Sequence, residues 1–197
     1  MKTKKLLFYI FAAITGGCVP VLSLHPLYTK KDIVVDKKLY GTWTKDPNDP
    51  ETTWEFKKID EPKNAYELIF TDDDGKKGSF VARLVKLQNK LFMDVYPSAL
   101  PSDANDSSDL AWPHNAFFLI PAHFFIKVDS IKPQLKLRLM LEPNMKELLT
   151  ENPNAVEHTF VDDRLVLTGS TKKLQGFVLK YADDERVFTD QVTLSRK

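Results

Sequence analysis

Five side chains of this sequence could take part in acid–base or metal chemistry. Four are histidines (His25, His114, His123 and His158), and none has a second ligand at the spacing that a zinc site requires. The fifth is Asp94, inside the apolar run LFMDVY, where it either faces solvent or serves as a polar group within a pocket. Neither a Gly-x-Ser-x-Gly elbow nor a glycine-rich phosphate loop occurs. We therefore predict no metal, no cofactor and no catalytic residue, and we rank an enzyme that uses Asp94 with His114 or His123 third among the functions considered.

The sole cysteine, Cys18, follows a segment with the layout of a secretory signal peptide. Three lysines among the first five residues precede the apolar run LLFYIFAAI, and small residues come just before the cysteine. The run is far shorter than the roughly 20 residues that span a bilayer. This arrangement resembles the lipobox of bacterial lipoproteins, although Thr15 occupies the position where those usually carry leucine. The resemblance implies cleavage after Gly17 and acylation of Cys18 with diacylglycerol; ordinary signal cleavage, which leaves a free thiol, is the alternative.

These features predict a location and a division of the chain. We expect a signal peptide at 1–17, a lipidated leader or tether at 18–38, and one domain at 39–197. By resemblance to Gram-negative lipoproteins, Val19 after the cysteine implies the outer membrane, reached through the lipid anchor. Loss of residues 1–17 would change the formal net charge from +1 to −2. A domain with so little net charge lacks the positive charge that attracts the phosphate backbone of nucleic acids, so we exclude nucleic acid as a partner.

From Leu39 onward the chain reads as a series of antiparallel strands. The segments LYGTWTK, TTWEFKKID and NAYELIFTD alternate apolar and polar residues, and clusters of Pro, Asp, Asn and Gly separate them. SFVARLVKL and KLFMDVYP follow, joined by a two-residue hairpin at Gln88-Asn89. Two further strands are FLIPAHFFIKV, where Pro121 forces a bulge or an edge position, and QLKLRLML. The order predicts a meander.

The C-terminal third adds helices to this sheet. EPNMKELLTE (142–151) predicts a short helix with Pro143 in its first turn, and AVEHTFVDDRLVLTG predicts a hairpin over Asp162-Asp163. A second helix is expected from Thr171 to about Asp184, with Ser170 as its cap. Because closure removes unpaired edges, we predict a mainly β fold: an antiparallel up-and-down barrel of eight or nine strands, a short inserted helix and a C-terminal helix.

In four of the predicted strands a set of apolar residues shares one parity and should point into the barrel: Trp54 and Phe56; Tyr66, Leu68 and Phe70; Phe80, Ala82 and Leu84; and Phe118, Phe124 and Ile126. The interior is then either filled by side chains or able to hold one small apolar ligand. Ile120 shares this parity, and residues 97–117, rich in Pro, Ser, Asp and Asn, interrupt the meander as a long loop. The predicted lid residues in that loop are Trp112 and His114. The predicted ligand-binding residues are Trp54, Phe56, Tyr66, Phe80, Phe118 and Phe124.

Gly41-Thr42-Trp43 resembles the Gly-x-Trp signature of the lipocalins and their calycin relatives, and the meander followed by a helix resembles their fold. The resemblance implies that Trp43 closes one end of the barrel beneath a basic residue from a late strand, either Arg164 or Arg138. The leader SLHPLY after Cys18 is similar to that of uncharacterised bacterial lipoproteins. The leading interpretation is a membrane-anchored protein that binds a small apolar ligand or lipid. The alternative is a solid barrel that acts as a protein-interaction module, an accessory subunit or an inhibitor.

Overall fold

A computed structural model of the protein describes residues 19–48, 51–98, 120–189 and 191–197. Cys18, Trp112, His114 and Phe118 lie outside the described residues. The elements are, in chain order, β1 (Leu22–Ser23), β2 (Ile33–Val34), a 3-10 turn (Lys37–Leu39), β3 (Gly41–Thr44), β4 (Thr53–Lys58), β5 (Tyr66–Thr71), β6 (Lys77–Leu87), β7 (Lys90–Pro97), β8 (His123–Ser130), β9 (Leu135–Leu139), α1 (Glu142–Glu151), β10 (His158–Val161), β11 (Arg164–Leu167), α2 (Thr171–Lys180) and β12 (Gln191–Arg196).

Strands β3 to β9 and β12 form a closed antiparallel barrel of eight strands. Consecutive strands from β3 to β9 pair with their neighbours, and β12 pairs with both β9 and β3 to complete the ring. The predicted fold class is therefore confirmed, including the inserted helix α1 and the C-terminal helix α2. We expected a closed barrel because closure pairs the two edge strands of the sheet with each other.

The short links of the meander also follow the prediction. Leu87 and Lys90 are paired across the β6–β7 turn, so Gln88 and Asn89 form a two-residue connection, with Gln88 at a positive φ of 55°. Asp162 and Asp163 both have positive φ, as expected for the tight turn between β10 and β11.

The C-terminal part departs from the prediction because the chain does not end at a helix. After α2 it returns to the barrel as β12, which was not predicted, and this strand closes the ring. The predicted β10–β11 hairpin lies outside the barrel: β11 pairs in parallel with β1, and β1 pairs with the first residues of β8. Ile120 was expected inside the barrel but is 77% exposed, because β8 begins only at His123, beyond Pro121.

Two hydrophobic clusters stabilise the molecule. One fills the barrel interior and includes Trp43, Phe56 and Tyr66. The other lies between the outer wall of β6–β8 and a layer made of α1, α2 and the β10–β11 hairpin, with Phe92 and Phe177 among its members. In α2 the residues Leu174, Phe177 and Val178 are buried, as the helical spacing predicts. Among the described residues, no helix has both the length and the apolar character needed to cross a bilayer.

The leader packs along the outside of the barrel rather than extending from it. Val21 and Leu27 are buried at 1% and 0% exposure. Thr171 donates a hydrogen bond to the carbonyl of Pro26, and Gln175 donates to that of Leu27. The described residues 19–38 therefore form a packed strap on the outside of the barrel, not a free linker.

Candidate functional site

One end of the barrel, which we call the floor, is closed by the 3-10 turn and by Trp43. The indole N–H of Trp43 donates to the carbonyl of Leu39 at 2.8 Å, and both residues are buried. Gly41 has a φ of +118°, a conformation that favours glycine, and a Cβ there would only touch the Arg196 guanidinium, at 3.4 Å. In the Gly41-Thr42-Trp43 segment, the glycine thus permits the bend at the start of β3, and the tryptophan closes the floor of the barrel.

The basic residue over Trp43 is Arg196, so both predicted candidates are wrong. The Arg196 guanidinium lies 5.1 Å from the Trp43 ring and donates to the carbonyls of Lys38 and Tyr40. Arg138 instead pairs with Asp129, and Arg164 pairs with Glu142. The correct residue was missed because it belongs to β12, the strand that the sequence analysis did not predict.

Next to the floor, Phe56 and Tyr66 are packed too tightly to face a ligand in this conformation. Their exposures are 1% and 0%, and their rings make an edge contact at 6.3 Å. The Tyr66 hydroxyl accepts a hydrogen bond from the Asp36 N–H at 2.7 Å and donates to the Asp36 carbonyl at 3.1 Å. Burial raises the pKa of Tyr66 from about 10.0 to about 12. This half of the interior is a packed core that also ties down the end of the leader.

Three other predicted ligand-binding residues, Trp54, Phe80 and Phe124, lie near the ends of their strands, in a region that we call the far end; Trp54 there is paired directly with Trp43 of the floor in the β3–β4 ladder. Trp54 is the second residue of β4, and Phe124 the second of β8, while Phe80 lies across from Pro97 in the last pairs of β6 and β7. Phe80 and Phe124 are only partly buried, and Trp54 is 7% exposed. The Trp54 ring makes an edge contact with Phe70 at 5.4 Å. These three of the six predicted residues belong to the same hydrophobic cluster that fills the barrel interior.

Trp54 carries the one unusual polar group of this region. Within the described part of the chain, its indole N–H is the buried side-chain polar atom that has no hydrogen-bond partner. An unpaired buried donor costs about 1–3 kcal/mol relative to a paired one, and native proteins rarely retain such groups without a reason. A molecule that brought an oxygen acceptor between the aromatic walls would recover that free energy.

A second cluster of polar residues lies on the outer wall of the barrel, under the leader. His123 Nδ1 is 2.7 Å from Asp94 Oδ1, and the Leu27 N–H donates to Asp94 Oδ2 at 2.7 Å. Asp94 is 1% exposed, so it does not face solvent, and it is paired with Phe125 on the outer wall of the barrel. His123, one of the two histidines considered for it, is its partner.

Aromatic rings surround the Asp94–His123 pair. Tyr96 packs on the His123 ring with centroids 4.7 Å apart, and the Arg83 guanidinium lies 4.9 Å from the ring of Tyr28. Burial raises the pKa of Tyr28, while nearby Arg83 opposes that shift. Both oxygens of Asp94 are already used to hold the leader and the imidazole, so the arrangement is suited to fastening a segment of chain.

A surface groove of about 680 Å³ lies between residues 153–158 and α2, outside the barrel. Its charged side chains already have partners: Lys173 pairs with Glu157, and Lys180 lies over the ring of Tyr181. Among the described residues, no group of three or more His, Cys, Asp or Glu side chains is arranged to hold a metal ion. The far end of the barrel is therefore the candidate binding site.

The comparisons with known proteins give no further guide. The chain matches no protein-family model, and searches of curated proteins and of solved structures found no match.

Proposed function

We propose that this protein is a lipid-anchored protein of the bacterial cell envelope whose barrel binds a small apolar ligand or lipid at its far end. The proposal depends on one observation, the buried indole N–H of Trp54 that has no acceptor among the described residues. Its surroundings are aromatic and partly open, since Phe80 and Phe124 are incompletely buried. A ligand with an apolar body and one oxygen acceptor, such as an acyl chain with its carboxyl or ester group, has the complementary chemistry.

The anchor part of the proposal is supported by the sequence before the described residues. Cys18 follows a signal-like segment and immediately precedes Val19, the first described residue. Acylation there would make the cysteine the mature N-terminus and hold the barrel at a membrane, with the outer membrane favoured by Val19. A lipid-binding barrel held at a membrane surface would be next to a source of its ligand.

Two matched tryptophan variants test the binding site. Trp54→Phe keeps an aromatic ring but removes the unpaired N–H, so we expect it to weaken binding of a fluorescent fatty acid by tenfold or more, since a hydrogen bond to a charged group contributes about 1.5–3 kcal/mol. Trp43→Phe removes an indole N–H whose acceptor is the Leu39 carbonyl. This control should lose stability yet retain affinity in the folded fraction. Equal affinity in Trp54→Phe and wild type would contradict the role of Trp54.

The alternative function is a solid barrel that binds another protein. It is favoured by the floor half of the interior, where Trp43, Phe56 and Tyr66 are at most 1% exposed and leave no room near them. Native mass spectrometry distinguishes the two functions. A reproducible extra mass of a few hundred daltons supports the ligand-binding function, whereas a clean apo mass together with no binding of the fatty acid supports the protein-interaction function.

A further inference from the structure

The first described residues are held firmly on the domain. The Val19 carbonyl accepts a hydrogen bond from the Glu142 N–H at 2.7 Å, and the Val21 N–H donates to the Met140 carbonyl at 3.1 Å. Between them, Pro20 forms an isolated bridge with Leu141. The chain is thus fixed to the start of α1 from its first described residue.

This attachment limits how far the domain can move from a lipid on Cys18. Consecutive Cα atoms are about 3.8 Å apart, so one peptide unit separates the proposed acylation site from a residue that is hydrogen-bonded to the domain. A tether of one residue cannot let the domain swing away from the bilayer. The part of the surface next to Val19 must therefore lie against the membrane.

Glu142 links this position to the β10–β11 hairpin. Its Oε1 accepts from the Leu165 N–H at 3.0 Å and lies 3.2 Å from Arg164 Nε, and its Oε2 lies 2.8 Å from Lys146 Nζ. The Glu142 side chain is 4% exposed, so these contacts form a buried junction. The same residue thus contacts Val19 through its backbone and the hairpin through its carboxylate.

The turn of this hairpin has the composition of a membrane-contacting surface. We call residues 160–164 the hairpin tip. Phe160 and Val161 are 52% and 55% exposed, two adjacent large apolar side chains on opposite faces of an edge strand. Lys146 lies 5.8 Å from the Phe160 ring and donates to the Asp163 carbonyl at 2.7 Å. Apolar side chains flanked by the long stems of Lys and Arg are suited to the boundary between lipid headgroups and acyl chains.

We infer that Phe160 and Val161, beside the acidic turn Asp162–Asp163, insert into the surface of the bilayer that carries the anchor. The inference depends on the proposed lipidation of Cys18. Lys146 and Arg164 are balanced by Glu142, Asp162 and Asp163, so the contact is apolar rather than electrostatic. It should accordingly occur on zwitterionic lipid and change little with salt.

The experiment uses the full lipid-anchored protein in phosphatidylcholine vesicles that contain nitroxide-labelled acyl chains. Val161→Cys and, as a matched control, Val35→Cys each place one thiol at an exposed valine; Val35 is 44% exposed and follows β2, which pairs with β6 and not with the β10–β11 hairpin. Each thiol is labelled with a polarity-sensitive fluorophore. We expect a blue shift and several-fold stronger quenching at position 161 than at position 35, equally at low and high salt. Equal quenching at the two positions, or stronger quenching at 35, would overturn the inference.

The wild-type protein separates this inference from the proposal on which it depends. With Cys18 acylated, its single cysteine has no free thiol, so wild type should not react with a maleimide after denaturation. A reactive wild-type thiol would refute the lipid anchor and, with it, the membrane contact. An unreactive thiol together with equal quenching at both positions would refute the membrane contact alone.

Discussion

Removing the carboxylate of Asp94 should release the leader from the barrel wall. Asp94→Ala deletes the acceptor of the Leu27 N–H and the partner of His123 Nδ1, two bonds of 2.7 Å each at a residue that is 1% exposed. Each buried group left without a partner costs about 1–3 kcal/mol, and breaking a buried pair typically costs about 3–5 kcal/mol. We expect a loss of about 3–5 kcal/mol, a large share of the roughly 5–15 kcal/mol that keeps a domain folded.

Asp94→Asn is the matched control because it keeps the shape of the side chain. Its oxygen can still accept from the Leu27 N–H, and its amide can donate to His123 Nδ1 in the other tautomer of the neutral ring. We expect this variant to lose no more than about 1.5 kcal/mol, the net contribution of one hydrogen bond.

Urea unfolding, followed by tryptophan fluorescence, measures the loss of stability. Hydrogen exchange at the Leu27 amide then shows whether the leader opens locally or only when the whole domain unfolds. An alanine variant within about 0.5 kcal/mol of wild type would refute the reasoning, because an exposed surface position behaves in that way. An asparagine variant as unstable as the alanine variant would show that the charge itself, rather than the two hydrogen bonds, holds the leader.

Two further changes test the floor and the alkaline limit of the fold. Burial raises the pKa of Tyr66 from 10.0 to about 12, so the folded state favours its neutral phenol. This preference stabilises the folded state by about 3 kcal/mol at pH values below 10. The stabilisation is lost as the pH rises through 12. Urea unfolding at several pH values should show that loss in wild type and not in Tyr66→Phe, and the same slope in both would contradict it. Arg196→Ala should lower the free energy of unfolding by about 1–2 kcal/mol, because it removes the contact with Trp43 and the hydrogen bonds to two carbonyls. Arg196→Lys should restore little of that stability, because lysine lacks the planar guanidinium group with its several N–H donors. A lysine variant as stable as wild type would show that charge alone is sufficient at this position.

The barrel was predictable from sequence where pairing is local. From β3 to β7, each strand alternates and is followed by a short turn, so the neighbour in sequence is also the neighbour in the sheet. β12 could not be found in this way: only Val192 and Leu194 give it an apolar face, and its partners β9 and β3 are far away in the chain. β1 has two residues and pairs with His123 and Phe124, the start of β8 that extends beyond its pairs with β9, and with β11 on its other side.

The candidate site shows the same limit. The parity of β4, β5 and β6 predicts which rings point inward, but parity says nothing about depth along the barrel. Phe56 and Tyr66 are at most 1% exposed, whereas Trp54 is 7% exposed and Phe80 is only partly buried. The pairing of Asp94 with His123 follows from β7 lying beside β8, and its burial follows from a leader that sequence alone left free to be a linker.

The two indoles of the interior give the strongest reason to expect a ligand. Trp43 and Trp54 are opposite each other in the β3–β4 ladder, so both side chains are on the inner face of the barrel. The fold supplies an acceptor for one of them, the Leu39 carbonyl, by laying the 3-10 turn across the floor. For the other, the described residues supply none, although a serine or threonine on a neighbouring strand would be sufficient. Phenylalanine at position 54 would remove the unpaired donor, but its smaller ring would leave a cavity at this buried position. In the proposed function the missing acceptor belongs to a ligand, so Trp54→Phe should weaken the affinity of the barrel for the fatty acid more than it changes the stability of the empty barrel.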